Sequence, residues 1–167
     1  MCGIAGFVGA GHATAVTAIN GALRHRGPDD EGTFHNPEVE LSLAMRRLAI
    51  VDLAHGHQPM ATGDGDRVIV FNGEIFNAPE LRAELVAEGY RFQTDHSDTE
   101  VVLQLYSRDG ERCVERLNGM FAFALYDRRL RRLLLARDSL GIQPLFWWRP
   151  GREFAFASEL TSLLTLP

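Results

Sequence analysis

The sequence predicts an α+β fold built on antiparallel sheet. From Met120 onward, four short segments, FAFALYD, RLLLAR, PLFWW and EFAFAS, follow one another at hairpin spacing, and tight connections of that kind join antiparallel neighbours. Helical patterns lie between and after the strand-like runs instead of alternating with them, which argues for a layered antiparallel arrangement over a parallel βαβ sheet. At 167 residues the chain suits one domain, large enough to bury roughly 70% of its unfolded surface without disulfide or metal staples.

Taken in order, CGIAGFVG is an apolar run closed by glycine and reads as a buried strand. ATAVTAINGALRHRG sets Val16, Ile19 and Leu23 at helical spacing, and RGPDDEG behind it reads as turn material. LSLAMRRLAIVD and RVIVFNGEIFN are strand-like, and Asn72-Gly73 inside the second is also a type I′ hairpin signal. Asn77-Ala78-Pro79-Glu80 supplies an N-cap, a proline in the first turn and a glutamate at the third position, which predicts a helix as far as Gly89. Ser97-Asp98-Thr99-Glu100 is a capping box opening VVLQLYSRDG. In ERCVERL, Cys113 and Leu117 share a helical face, so Cys113 reads as a packed thiol. The four hairpin strands follow, with DRRLRR as a solvated turn, and ELTSLL closes the chain with one or two helical turns. No repeat, low-complexity tract or linker divides it.

Composition excludes several classes. A net charge of −5 speaks against a nucleic-acid binder, which needs clustered Lys and Arg. There is no apolar run of eighteen residues and no basic segment before a hydrophobic one, so neither a membrane span nor a signal peptide is expected, and a cytoplasmic location follows. GFVGAGHATA imitates a dinucleotide-binding turn, but the third position of GxGxxG falls on Thr14. His55 and His57 form an H-x-H pair without a second ligand pair nearby and read as a polar loop; no metal site is expected.

Cys2 does not fit a structural role, because chain ends fray unless tied down. Removal of Met1 would give Cys2 both a thiol and a free α-amine. Such an amine ordinarily titrates at about 7.7–8.0, so near neutral pH it can take the thiol proton directly or through water. Nucleophile and base would then belong to one residue.

MCGIAGFVG, RHRGPDDEG, RRLAIVD, NGEIFN, HSDTEVV, NGMFAFALYD and RDSLGIQPLF, in this order, closely resemble the glutaminase domain of the N-terminal-nucleophile (class II) glutamine amidotransferases. Within that family they are most similar to the asparagine synthetase branch, and the resemblance covers nearly the whole chain, read as one glutaminase domain over residues 1–167. It implies the N-terminal-nucleophile hydrolase fold, a four-layer αββα sandwich of two antiparallel sheets. It also implies hydrolysis of L-glutamine through a Cys2 thioester, with no cofactor for that reaction, and ammonia delivered to a synthetase domain or subunit. Asn72, through its side-chain amide, and Gly73, through its backbone N–H, match the pair that stabilises the tetrahedral oxyanion. Arg47 resembles the arginine that grips the substrate carboxylate, a task suited to a guanidinium fork, and Asp98 the aspartate that pairs with its ammonium. Glu74 and the backbone at Ile50 and Val51 are supporting contacts. Plainer roles exist: Asn72-Gly73 as a turn, Arg47 as a strand arginine, Asp98 as a helix-start carboxylate.

Two positions depart from the branch. Met45 stands where a histidine is usual and Gln143 where a lysine is usual in the LGIKPL-like segment, which bears on coupling to a partner. The chain carries neither GxxxxGK[ST] nor an SGGxDS-like loop, so ATP and Mg would belong to a synthetase domain absent from these residues, which are expected to be an excised domain or a free-standing subunit. The alternatives are a degenerate docking domain, which intact Cys2, Asn72 and Gly73 oppose, and an N-terminal-nucleophile hydrolase of another amide, which Arg47 and Asp98 oppose.

Overall fold

A computed structural model describes residues 1–48 and 57–166. Its elements are β1 (Gly3–Val8), α1 (His12–Ala22), β2 (Asp30–Asn36), β3 (Leu41–Arg47), β4 (Met60–Ala61), β5 (Arg67–Ile75), α2 (Ala78–Ala87), α3 (Asp98–Asp109), β6 (Gly119–Asp127), β7 (Arg132–Arg137), β8 (Phe146–Trp148), β9 (Phe154–Ala157) and α4 (Leu160–Leu163). Two sheets form, in the orders β2-β3-β1-β9-β8 and β4-β5-β6-β7, and every paired strand is antiparallel.

Three buried clusters give the layer order. Ala5, Phe7 and Ala44 of the first sheet pack with Val16, Ile19 and Leu163 on the α1 and α4 side. Ile69, Phe71, Phe121 and Phe123 of the second sheet pack with Leu81 and Leu85 of α2 and with Val101, Val102 and Leu105 of α3. Between the sheets lie Ile4, Leu43, Met45, Val70, Ala122, Ala124 and Phe156. The result is the expected αββα sandwich. Because both faces of β1 are covered, GIAGFV is continuously apolar instead of alternating.

The structure departs from the sequence reading at four places. β2 falls partly on RGPDDEG: Asp30, Glu31 and Gly32 carry turn chemistry, but pairing with β3 from Asp30↔Arg47 to Asn36↔Leu41 overrides it. Asn72 and Gly73 are not a hairpin turn; they lie inside β5, opposite Ala122 and Phe121. Asn77 precedes α2 but does not cap it with its side chain, which instead accepts from Asn118 N and donates to Arg116 O, both at 2.9 Å. Cys113 sits in a 3₁₀ segment, Gly110–Arg116, not an α-helix, yet it is buried in the helix-side core as expected, and burial pushes its thiol up to about 12.

Ser97 Oγ does accept from Glu100 N at the start of α3, at 3.4 Å. The Glu100 carboxylate, however, turns to Gln93 N and Thr94 N, so the box closes on one side only.

Candidate functional site

The alternation of side chains along strands decides which residues can meet. On β1, Ile4 faces the second sheet while Ala5 and Phe7 face α1, so Cys2, two residues before Ile4, falls on the inter-sheet side, where it packs against that core. On β3, Leu43 and Met45 face the second sheet. The same alternation sends Arg47 inward, 8% exposed, and Arg46 outward, where it donates to Asn20 O of α1 and pairs with Glu31. On β5, Val68 and Val70 face the first sheet, and Asn72 follows them, 3% exposed. Cys2, Arg47 and Asn72 therefore share one interface.

They also share one end of it. Gly3 pairs with Arg46, so Cys2 continues the register toward Arg47. Residues 57–59 link this end of the first sheet to the second: His57 bonds Asp30, the residue opposite Arg47, at 3.0 Å. Gln58 accepts from Phe71 N at 2.6 Å and donates to Thr99 Oγ1 at 3.4 Å. Asp98, beside Thr99, accepts from Ile75 N at 3.1 Å. His57 is thus the polar loop residue expected; its H-x-H partner His55, like Ile50 and Val51, lies outside the described residues.

Each group has identifiable support. Cys2 Sγ lies 3.9 Å from the Leu48 carbonyl, to which it donates weakly. The Cys2 carbonyl accepts from Arg26 Nε at 2.9 Å, and Arg26 is held in turn by Glu159 at 3.1 Å. Burial alone would raise Glu159, but Arg26 and His25 outweigh it and hold the carboxyl below its usual range. Gly27 lets the RHRGPD turn press onto β3, since a Cβ there would collide with the backbone of Arg46 and Arg47. Nothing in the sequence singles out Arg26, because an arginine in a polar turn has no pattern of its own.

The backbone of β5 is equally specific. Phe121 spends its N–H and C=O on Asp138, away from β5, so Gly73, directly opposite, is a pair without ladder bonds. Odd-numbered N–H groups of β5 therefore point away from β6. Phe71 N meets Gln58 and Ile75 N meets Asp98, and the Gly73 N–H projects from the same edge between them. Gly73 has φ +152, and a Cβ would strike the Met120 carbonyl, so this strand geometry requires glycine.

Asp98 carries the electrostatic signature of the site. Burial raises its carboxyl above the usual range and the neighbouring Glu74 charge adds to this, against opposing bonds from Ile75 and Thr99. A cation beside it would relieve that cost. Glu74 is exposed next to Gly73.

The two departures find places. Met45 is buried in the inter-sheet core, in the cluster against which Cys2 packs. Gln143 is 3% exposed and accepts from Asn72 Nδ2 at 2.8 Å, so it belongs to the interior of the site and not to an outer surface. Among the described residues no three His, Cys, Asp or Glu side chains are grouped to hold a metal ion. A surface hollow of about 460 Å³, lined by Leu135, Trp147, Arg149, Arg152 and Phe154, shares no lining residue with the cluster.

The family model for the glutamine amidotransferase domain matches residues 1–167. The chain belongs to that family. It is 41% identical over its whole length to asparagine synthetase [glutamine-hydrolyzing] 3 of Bacillus subtilis (strain 168), of which it covers 28%. It is 38% identical to a putative asparagine synthetase [glutamine-hydrolyzing] 2 of Methanocaldococcus jannaschii, with 99% of this chain and 35% of the relative aligned. These residues therefore span about a third or less of the length of such relatives. The glutamine phosphoribosylpyrophosphate amidotransferase of B. subtilis superposes with a TM-score of 0.82 over 98% of this chain and 43% of its own, at 24% identity, a likeness of fold.

Proposed function

We propose that this glutamine amidotransferase domain hydrolyses L-glutamine to L-glutamate and ammonia on Cys2. Once Met1 is removed, the Cys2 α-amine takes the thiol proton and Sγ attacks the side-chain amide carbon. The oxyanion is met by Asn72 Nδ2–H and Gly73 N–H. Collapse expels ammonia, which carries off the proton held by the amine, and leaves a γ-glutamyl thioester. Water then attacks the thioester, the amine receives its proton, and a second oxyanion collapses to release glutamate and regenerate the thiol. Arg47 takes the substrate α-carboxylate and Asp98, with Glu74 beside it, the α-ammonium.

The observation that carries this reading is the convergence of Cys2, Arg47 and Asn72 on the inter-sheet face at one end of both sheets. Met1 is 62% exposed, which suits its removal. The names of the relatives favour an asparagine-forming synthetase region as the ammonia acceptor, and ATP with Mg would serve that region. No helix among the described residues is long and apolar enough to cross a membrane; we place the domain in the cytoplasm, where thiols stay reduced.

The test is ammonia release from L-glutamine by Met-free protein, Met-retained protein and Cys2→Ala. Activity is expected in the first alone, with glutamine binding kept in Met-free Cys2→Ala. Equal rates with and without Met1 would remove the amine from the mechanism.

A further inference from the structure

We propose that Gln143 is a positioning residue for glutamine hydrolysis, holding the Asn72 amide so that its nitrogen, not its oxygen, faces the developing oxyanion. The inference rests on the reading of Asn72 as an oxyanion donor. The terminal torsion of an asparagine is broad and roughly two-fold, so an unsupported amide can present either end. Here Asn72 Nδ2 donates one proton to Gln143 Oε1 at 2.8 Å, with both side chains buried. The second proton of the same nitrogen then points in a direction fixed by the amide plane. With the Gln143 carbonyl held toward it, turning Asn72 over would set the two amide oxygens against each other and present lone pairs to the oxyanion. A donor readied before charge develops is what oxyanion stabilisation requires.

The backbone of Gln143 is itself held in place. Asp138 Oδ2 accepts from Gln143 N at 3.0 Å and from Phe121 N at 3.2 Å, and Oδ1 accepts from Ile142 N at 2.9 Å. Phe121 lies opposite Gly73. One buried carboxylate thus fixes the residue behind Asn72 and the strand behind Gly73, so both oxyanion donors are referred to one anchor. At position 143 the chemistry needed is an acceptor.

The test is a double-mutant cycle in the Met-free chain, reading kcat and KM for L-glutamine together with thermal midpoints. Asn72→Ala is expected to lower kcat by roughly 10²-fold. Gln143→Met, similar in length but without the acceptor, is expected to lower kcat about tenfold with KM nearly unchanged, and to have little further effect in the Asn72→Ala background. Equal kcat losses in both backgrounds, or none in either, would overturn the proposal. An unchanged kcat in Asn72→Ala would instead remove the reading beneath it, and the proposal with it. Should Gln143→Met fail to fold, the unmutated protein still decides. Its Asn72 side-chain amide, identified by the NMR signal lost in Asn72→Ala, must show one proton protected from exchange; two rapidly exchanging protons would contradict the bond.

Discussion

Asp98 holds the end of a strand in place and, in the proposed reaction, would also take the substrate ammonium. Its Oδ2 holds Ile75 N at the end of β5, while burial and Glu74 lift its pKa above the ordinary range. Binding of a substrate ammonium favours the ionised form, so protons and glutamine compete. KM for glutamine should rise as pH falls through the raised Asp98 value, and the limb should vanish in Asp98→Asn, which keeps an acceptor for Ile75 N. The charge-assisted bond lost is worth about 1.5–3 kcal/mol, or roughly ten- to a hundredfold in KM at neutral pH. A flat KM profile in the unmutated protein would return Asp98 to a purely helix-start role. At this scale the roles proposed for Cys2, Arg47, Asn72, Gly73 and Asp98 rest on the family motifs, with the place of Cys2 behind Met1 as an added signal. Arg26, Gln58 and Asp138 were not legible in the sequence, because their roles are bonds to backbone atoms distant in sequence, which residue type alone does not encode.

Among the elements, β5 does most to build the site. Its period of two sends Val68, Val70 and Asn72 to one face and Ile69, Phe71 and Ile75 to the other, and its odd-numbered N–H groups leave the ladder toward Gln58 and Asp98. Gly73→Ala should displace the strand from Met120, because a Cβ at φ +152 is both strained and in contact with that carbonyl. The expected outcome is a lower thermal midpoint together with a kcat loss of at least the roughly 10²-fold typical of one missing oxyanion donor. A normal kcat would take the Gly73 N–H out of the reaction. The strand itself was readable from RVIVF, whereas the Asn72-Gly73 pair gave a turn signal that nine-residue pairing with β6 overrode. Turn propensity is local, and the ladder on either side outweighs it.

For the whole molecule, the decisive feature is the crossing between sheets after β7. Hairpin spacing correctly marked β6 with β7 and β8 with β9, but spacing does not say which sheet a hairpin joins; the four-layer sandwich came from the family resemblance. Asp138 anchors that crossing. Burial alone would raise its pKa, yet bonds from Gln143, Ile142, Phe121 and Gly141 hold it below the usual range. A depressed carboxylate stabilises the fold above its unfolded value, about 3.9, and loses that contribution as pH falls through the lower folded value. Denaturant midpoints of Asp138→Asn should therefore fall short of the unmutated protein at neutral pH and converge with it in acid; a constant gap would assign the effect to packing.

The proposed reaction stands on Cys2 as its nucleophile. Its most direct test is peptide mass mapping of the Met-free protein after reaction with the glutamine-like electrophile 6-diazo-5-oxo-norleucine. One adduct is expected, on Cys2, with loss of ammonia release and no label on the buried Cys113. Labelling at Cys113, or full glutaminase activity in protein whose Cys2 is modified, would contradict it.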